Sequence, residues 1–217
     1  MDITTHPAVA KTRPAPKRRA RVSKVANARE TLRDFDKGRE VYVMTYGQFS
    51  IMDAVEAVLE KTGPADVSIS TWTAASADLS RSAEHLYNSR IRSIRFLVDR
   101  SFLTRQAQYA AKLIELFGEG AVRTTRSHAK FVTIVNDEWN VVMPTSMNLN
   151  ENRRLEFLHV VDDAELCGFF NAVVDEVFAE EPPGLEGARD VPMLSGLDEI
   201  LPESMVEMAR GTVSVGA

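Results

Sequence analysis

The hydrophobic positions of this chain follow two periodicities, one typical of strands and one typical of helices. Short runs in which β-branched and aromatic residues dominate or alternate with polar ones predict strands. Longer segments with apolar residues three or four positions apart predict amphipathic helices. The predicted strands are 41–45, 67–72, 93–98, 121–124, 127–135, 139–143 and 155–161. The predicted helices are 27–37, 51–60 (capped by Ser50), 78–90, 104–117 and 163–178.

The order of these elements predicts the fold class. Strands alternate with helices in the first half, which favours βαβ units and a parallel or mixed sheet covered on both faces. In the second half, residues 127–135 and 139–143 form a hairpin around a turn at Asn136-Asp137. A further strand and a closing helix follow it. We therefore predict an α/β domain over residues 27–180, with a mixed β-sheet sandwiched between helices.

Both ends of the chain differ in composition from this domain. Residues 1–26 contain three prolines, many charges and almost no large apolar side chains, so we expect a basic disordered arm. Residues 181–217 are rich in proline, glycine and acids, with a weak helical pattern near 197–208. We expect a mobile tail or a docking segment there.

Composition limits the protein class. With 44% hydrophobic and 26% charged residues, the chain has the composition of a soluble globular protein. No apolar run approaches the roughly 20 residues of a membrane span, so we expect no membrane contact and a cytoplasmic location. The single cysteine, Cys167, excludes an internal disulfide and a zinc site built from cysteines. Its place on an apolar helix face indicates a buried structural thiol.

The net charge of −5 hides a strong asymmetry. Residues 1–24 carry a charge of +6 and the rest of the chain −11. The basic residues of the arm are Lys11, Arg13, Lys17, Arg18, Arg19, Arg21 and Lys24. An arm of this kind either binds nucleic-acid phosphates or solubilises the chain, and the composition fits both.

The candidate chemistry begins with His128 and Lys130. In a strand these side chains project from the same face, about 7 Å apart. An imidazole beside an ammonium suits chemistry on a phosphate, because one group attacks or shuttles a proton while the other neutralises charge. Downstream, Ser146 and Asn148 follow a second strand and Glu156 opens a third.

Together these residues resemble the signature of the phospholipase D superfamily. That signature is His-x-Lys, four residues, Asp, then Gly-Ser-x-Asn, with a Glu beyond. This chain departs from it in three ways: Val135 stands at the Asp position, Thr145 replaces the Gly, and the His-to-Ser gap is three residues longer. The related tyrosyl-DNA phosphodiesterases also lack that Asp, and Asp137 could act in its place through a bulge.

The resemblance implies a phospholipase D-like fold and a role for each matching residue. His128 would be the nucleophile that forms a phosphohistidine, while Lys130 and Asn148 hold phosphate oxygens and Ser146 orients one of them. A nucleophilic imidazole needs an acceptor on its second nitrogen, and we nominate Glu156. This scheme needs no metal and no cofactor. Arg126 and Arg153 flank the motif segments and extend the expected anion contact.

The leading hypothesis is a metal-independent phosphodiesterase of the nuclease type acting on nucleic acid, DNA in preference to RNA. The alternative is a catalytically degenerate nucleic-acid-binding protein that uses the same site and the basic arm. A phospholipid hydrolase is the third reading, and the missing signal peptide and membrane helix weigh against it. Because the family's complete site uses two His-x-Lys motifs and this chain has one, we also expect a homodimer.

Overall fold

One mixed β-sheet organises the part of the chain that the structure, a computed structural model, describes: residues 17–22, 27–150 and 153–186. Its strands are β1 (Lys17–Val22), β2 (Arg39–Thr45), β3 (Ala65–Thr71), β4 (Ile91–Asp99), β5 (Val122–Thr125), β6 (Phe131–Val135), β7 (Asn140–Pro144) and β8 (Glu156–Asp162). The helices are α1 (Ala28–Thr31), α2 (Ile51–Thr62), α3 (Ser76–Tyr87), α4 (Ser101–Arg105), α5 (Ala107–Phe117) and α6 (Ala164–Glu180), with a 3₁₀ turn at Glu119–Ala121.

The strand order is β1-β2-β8-β7-β6-β3-β4-β5. β1 runs parallel to β2, and β3, β4 and β5 are mutually parallel. β6 and β8 are antiparallel to both of their neighbours, so they run opposite to the other described strands. At one edge of the sheet, the carboxyl ends of β2, β3, β4, β5 and β7 therefore lie beside the starts of β6 and β8.

Helices cover both faces of this sheet, which confirms the predicted α/β class. Along β6, Val132 and Ile134 are buried in the larger core with the apolar faces of α2, α3 and α5. The alternate position Phe131 contacts Phe170 of α6, with ring centroids 4.7 Å apart. β6 is thus buried on both sides, which explains why its sequence is apolar without a break. None of the described helices is long and apolar enough to cross a membrane.

Cys167 lies in a smaller apolar cluster between the sheet and α6. Its side chain is fully buried beside Val142 and Val161. Burial raises the pKa of the thiol to about 12, and the nearby Asp162 carboxylate adds to the effect. These features confirm the prediction of a buried structural thiol.

The start of α2 is fixed by a capping box, which confirms the prediction that Ser50 caps this helix. The Ser50 hydroxyl accepts a hydrogen bond from the Asp53 backbone N–H at 3.3 Å, and the Asp53 carboxylate accepts one from the Ser50 N–H at 2.7 Å. The same hydroxyl donates to Asp78 of α3 at 3.0 Å. Ser50 is completely buried. Its side chain therefore caps the start of α2 and also joins α2 to α3.

Within the arm that we expected to be disordered, Lys17–Val22 instead form β1. These residues pair along β2 from Arg39 to Met44. Their hydrophobic pattern does not predict a strand because the segment is mostly basic. Strand pairing uses backbone N–H and C=O groups, and the open side of β2 offers them whatever the side chains are.

The strand that we expected to begin at residue 127 begins at Phe131 instead. The backbone of the preceding segment is used otherwise: Ala129 donates its N–H to the Ser127 hydroxyl at 3.2 Å, and its carbonyl accepts from Ser70 at 2.8 Å. These side-chain bonds compete with strand pairing. His128 and Lys130 therefore lie on a loop, which we call the His loop (residues 126–130).

The helix that we expected over 104–117 is two helices separated at Gln106. This residue has φ −143° and ψ 52°, outside the helical region, and it ends α4 and precedes α5. Its side-chain oxygen accepts a hydrogen bond from the Thr73 hydroxyl, after β3. A tertiary contact thus holds the break in place.

The described chain ends shortly after α6, beside β5. Gly184, with φ 86°, donates its N–H to the Glu119 and Val122 carbonyls at 3.1 and 2.9 Å. This contact lies within the segment 181–217 that we expected to be a mobile tail or a docking segment. Residues 187–217 lie outside the described residues.

Candidate functional site

The five predicted site residues lie at the same edge of the sheet. His128 and Lys130 belong to the His loop, which leads from β5 into β6. Ser146 and Asn148 follow the carboxyl end of β7, and Glu156 is the first residue of β8. The antiparallel pairing of β6, β7 and β8 brings these segments together, although 28 positions separate His128 from Glu156.

His128 is exposed and lies directly beside Lys130. The Lys130 Nζ is 3.3 Å from Nδ1 and 3.4 Å from Nε2 of the imidazole, and it donates to the His128 carbonyl at 2.9 Å. Because Nζ is nearly equidistant from both ring nitrogens, neither is held in one well-directed hydrogen bond. The imidazole and the amine can therefore both turn toward a bound anion.

The electrostatic state of Lys130 reflects opposing effects. Partial burial lowers its pKa below the ordinary value, because the charged form loses solvation. The carboxylates of Glu156 and Asp99 act in the opposite direction and favour the charged ammonium. A negatively charged phosphate at this point would add to the attraction and stabilise the charge further.

Glu156 is hydrogen-bonded to Ser146. The Ser146 hydroxyl donates to the Glu156 carboxylate and accepts from the Phe157 N–H at 2.9 Å. We expected Glu156 to accept a hydrogen bond from the second nitrogen of His128, and the described contacts of Glu156 are with Ser146 instead. Its effect on the histidine side of the site acts through the charge of Lys130.

Asn148 is anchored to the end of β3. Its side-chain oxygen accepts the backbone N–H of Trp72 at 3.3 Å, which leaves the amide NH₂ group as the donor available to a ligand. Asn148 and Glu156 also line a shallow surface groove with Gly47, Phe49 and other residues of the loop after β7. An amide donor beside such a groove suits contact with a phosphate oxygen.

Two residues of this edge were not predicted from the sequence. Asp99, at the end of β4, accepts hydrogen bonds from Ser101 and from the Ser127 N–H at 3.1 Å, so it fixes the His loop. The ring of Trp72, after β3, contacts the His128 ring in an edge-to-face arrangement with the centroids 5.5 Å apart. Trp72 is only half-buried. The sequence feature that could have identified Asp99 as a site residue is its place at the carboxyl end of a predicted parallel strand.

Val135, which stands at the position of the family's Asp, has a structural role. On the α6 face of the sheet, Val135 packs against the buried cluster of Val142, Val161 and Cys167. Asp137 lies in the turn after β6, whereas His128 precedes that strand. The five residues of β6 separate the two by about 16 Å, so Asp137 does not supply a carboxylate to this site.

The predicted anion contacts fall into separate places. Arg126 is exposed on the His loop, and Arg153 is exposed three residues before β8. Lys17, Arg18, Arg19 and Arg21 lie in β1. Because β2, β8 and β7 separate β1 from β6, β1 is about 19 Å from β6, the strand that follows the His loop. Lys11, Arg13 and Lys24 lie outside the described residues.

No group of three or more His, Cys, Asp or Glu side chains within the described residues could hold a metal ion. This edge carries an imidazole, a lysine and an amide together with the carboxylates of Glu156 and Asp99. The imidazole, the lysine and the amide are groups that can bind an anion.

Comparison with known proteins gives similarities to solved structures only. No protein-family model and no curated protein matches the chain. The chain is similar to NucT from Helicobacter pylori, at 14% identity over 67% of this chain and 99% of that chain, with a TM-score of 0.47. It is also similar to polyphosphate kinase from Porphyromonas gingivalis, at 10% identity over 76% of this chain and 29% of that chain, with a TM-score of 0.47. Neither similarity identifies a family at these values, so the site residues carry the functional interpretation.

Proposed function

We propose that this chain is a metal-independent phosphodiesterase that cleaves nucleic acid, DNA in preference to RNA, through a phosphohistidine intermediate. The observation that carries the proposal is the exposed imidazole of His128 beside the amine of Lys130, at the sheet edge that also holds Asn148. The resemblance of the His-x-Lys and Ser-x-Asn segments to the phospholipase D signature supports the same reading.

The proposed reaction has two steps. A ring nitrogen of His128 attacks phosphorus, the bond from phosphorus to the leaving oxygen breaks, and that oxygen takes a proton from a second imidazole, which we assign below to His128 of a second copy. Water then attacks the phosphohistidine and gives its proton to that second imidazole, which releases the phosphate product and restores both histidines. Lys130 and the Asn148 amide stabilise the charge on the non-bridging oxygens in both steps.

The His128→Ala variant tests the assignment directly. Removal of the nucleophile should lower cleavage of labelled single- and double-stranded DNA in EDTA by several orders of magnitude. The stability should change little, because the side chain is exposed. Asp137→Asn is the matched control, since that carboxylate lies at the opposite edge of the sheet. Undiminished cleavage by His128→Ala at unchanged folded content would refute the nucleophile assignment.

A binding-only protein is the second candidate, and one specific observation favours it. Val135 fills the position of the family's Asp with an apolar side chain packed against α6. In that case wild type and His128→Ala would both bind DNA, and neither would cleave it. The EDTA assay with both proteins separates this outcome from the first.

We further propose that the active form is a homodimer. The leaving oxygen needs a proton at the moment when His128 is attacking, and a single imidazole cannot do both. A two-fold axis near the His loop would supply a second His128. Like charges, including Arg126 and Lys130 of each copy, would then repel each other unless an anion lies between them.

Light scattering at micromolar concentration, with and without inorganic phosphate, tests this assembly. We expect a dimer that phosphate stabilises, because an anion at the axis screens the facing cations. A strict monomer in both conditions would contradict the two-histidine site and favour the binding-only candidate.

A further inference from the structure

An exposed arginine lies against the tryptophan that contacts His128. The guanidinium carbon of Arg105 is 3.6 Å from the centroid of the Trp72 ring, a close cation–π contact. The Trp72 centroid is in turn 5.5 Å from the His128 ring centroid. The guanidinium is therefore at most about 9 Å from the imidazole.

Arg105 is held by neutral groups alone. Its Nη2 donates to the Trp72 carbonyl at 3.0 Å, and its Nε donates to the Ser101 hydroxyl at 3.0 Å. Among the described residues it has no carboxylate partner, in contrast to Arg81 and Arg95, which form ion pairs. Its positive charge is thus available to an external anion.

The same contacts fix the position of Arg105 relative to the site. Ser101, which accepts its Nε–H, also donates to Asp99, and Asp99 accepts the N–H of Ser127 in the His loop. The break at Gln106 ends α4 directly after Arg105. An arginine held in this way loses little side-chain entropy when it binds a ligand.

We propose that Arg105 binds the phosphate next to the scissile one in a nucleic-acid chain. This inference rests on the proposed function and names a further substrate contact of the same site. A guanidinium has five N–H donors, and two are used by Ser101 and Trp72. The other three can contact phosphate oxygens while Arg105 keeps its present position. Lys130 and Asn148 remain with the scissile group.

The consequence is a preference for substrates with more than one phosphate. A single diester occupies His128 and Lys130 but leaves Arg105 without a partner. An oligonucleotide can place one phosphate at His128 and Lys130 and the next phosphate at Arg105. A charge-assisted hydrogen bond contributes enough to change kcat/KM by roughly 10- to 100-fold. The contact is with the backbone, so it should not depend on base sequence.

The test compares Arg105→Gln and Arg105→Lys on two substrates in EDTA, a single-stranded oligonucleotide and bis(p-nitrophenyl) phosphate. We expect Arg105→Gln to lower kcat/KM for the oligonucleotide by roughly 10- to 100-fold, with a much smaller loss on the single diester. Its slope of log K for oligonucleotide binding against log salt should flatten by about 0.7. Arg105→Lys should recover part of both effects because it keeps the charge.

Arg92→Gln is the matched control, because Arg92 is exposed near the start of β4, at the opposite edge of the sheet. Equal losses on both substrates would overturn the proposal, as would oligonucleotide cleavage by Arg105→Gln equal to that of Arg92→Gln. If wild type cleaves neither substrate, the proposed function fails. Fluorescence anisotropy with the oligonucleotide then decides: unchanged binding by Arg105→Gln overturns the Arg105 contact, and weakened binding supports it.

Discussion

Lys130 shows how a few neighbours set the chemistry of one residue. Burial lowers the pKa of its ammonium, and the carboxylates of Glu156 and Asp99 partly reverse the effect. Glu156 also accepts the Ser146 hydroxyl, so one carboxylate both orients a hydroxyl and supports the charge of a lysine. The protonation state of Lys130 at alkaline pH is therefore sensitive to substitution of either acid.

This sensitivity gives a pH prediction. Phosphate binding needs the charged lysine, so kcat/KM should fall as the pH rises through the pKa of Lys130, below the ordinary value of 10.5. Glu156→Gln removes a group that raises this pKa but keeps an oxygen for Ser146. The alkaline limb of the profile should then move to lower pH. Profiles of both proteins at constant ionic strength measure the shift.

Asp137→Asn serves as the control for that profile, because its carboxylate lies at the far edge of the sheet. It should leave the alkaline limb where it is in the wild type. A limb that stays in place in Glu156→Gln, or moves to higher pH, would show that Lys130 does not determine it.

The resemblance to the phospholipase D signature predicted the site residues that lie close together in sequence or in one hairpin. His128 and Lys130 are two positions apart, and Ser146 and Asn148 follow the partner strand, so local pairing alone brings them to one edge. Trp72 and Asp99 reach the site only because β3 pairs with β6 and β4 runs parallel to β3 on its other side. No periodicity in the sequence specifies that strand order, which is why both were missed.

Among the elements, α2 and α3 are joined through their first turns. Ser50 caps α2 and donates to Asp78 near the start of α3, and both side chains are buried. A polar side chain with two such roles contributes more than an exposed cap, since its removal leaves polar groups in a dry environment.

We therefore expect Ser50→Ala to lower the free energy of unfolding by about 1–2 kcal/mol. Urea unfolding followed by circular dichroism gives the value. Ser80→Ala, on the exposed face of α3, is the matched control and should change stability by less than about 0.5 kcal/mol. If both variants lost the same free energy of unfolding, the buried cap would contribute no more to stability than an exposed serine.

The boundaries of elements depart from the sequence pattern where side chains bind backbone. Apolar residues predicted the core of β6, but Ser70 and Ser127 take the hydrogen bonds of Ala129, so the strand begins only at Phe131. Gln106 divides α4 from α5 through its contact with Thr73. Such contacts join residues up to 59 positions apart, so local propensity does not reveal them.

At the scale of the whole molecule, charge is divided between the first 24 residues and an acidic remainder. Those residues carry +6 and the rest of the chain −11. Part of this basic segment is β1, so a test of its charge must leave that strand intact. Lys11, Arg13 and Lys24 lie outside the strand and can be neutralised separately.

The triple variant Lys11→Gln, Arg13→Gln, Lys24→Gln should bind duplex DNA more weakly. Each lost phosphate contact reduces the slope of log K against log salt by about 0.9, so the reduction should be at most about 3. Salt titrations of wild type and variant by fluorescence anisotropy measure it. Identical slopes would mean that these three residues make no phosphate contact.

The pairing of β1 with β2 also bears on any shortened form of this protein. Without residues 17–22, β2 would keep its pairing with β8 but lose its pairing with β1. It would then be an outer strand with open N–H and C=O groups from Arg39 to Met44. Two shortened molecules could then join their sheets through β2, forming a continuous sheet across both chains. Such association would need neither His128 nor phosphate. A dimer of a truncated protein would therefore report an unprotected strand, and only the chain that retains β1 can reveal assembly around the histidines.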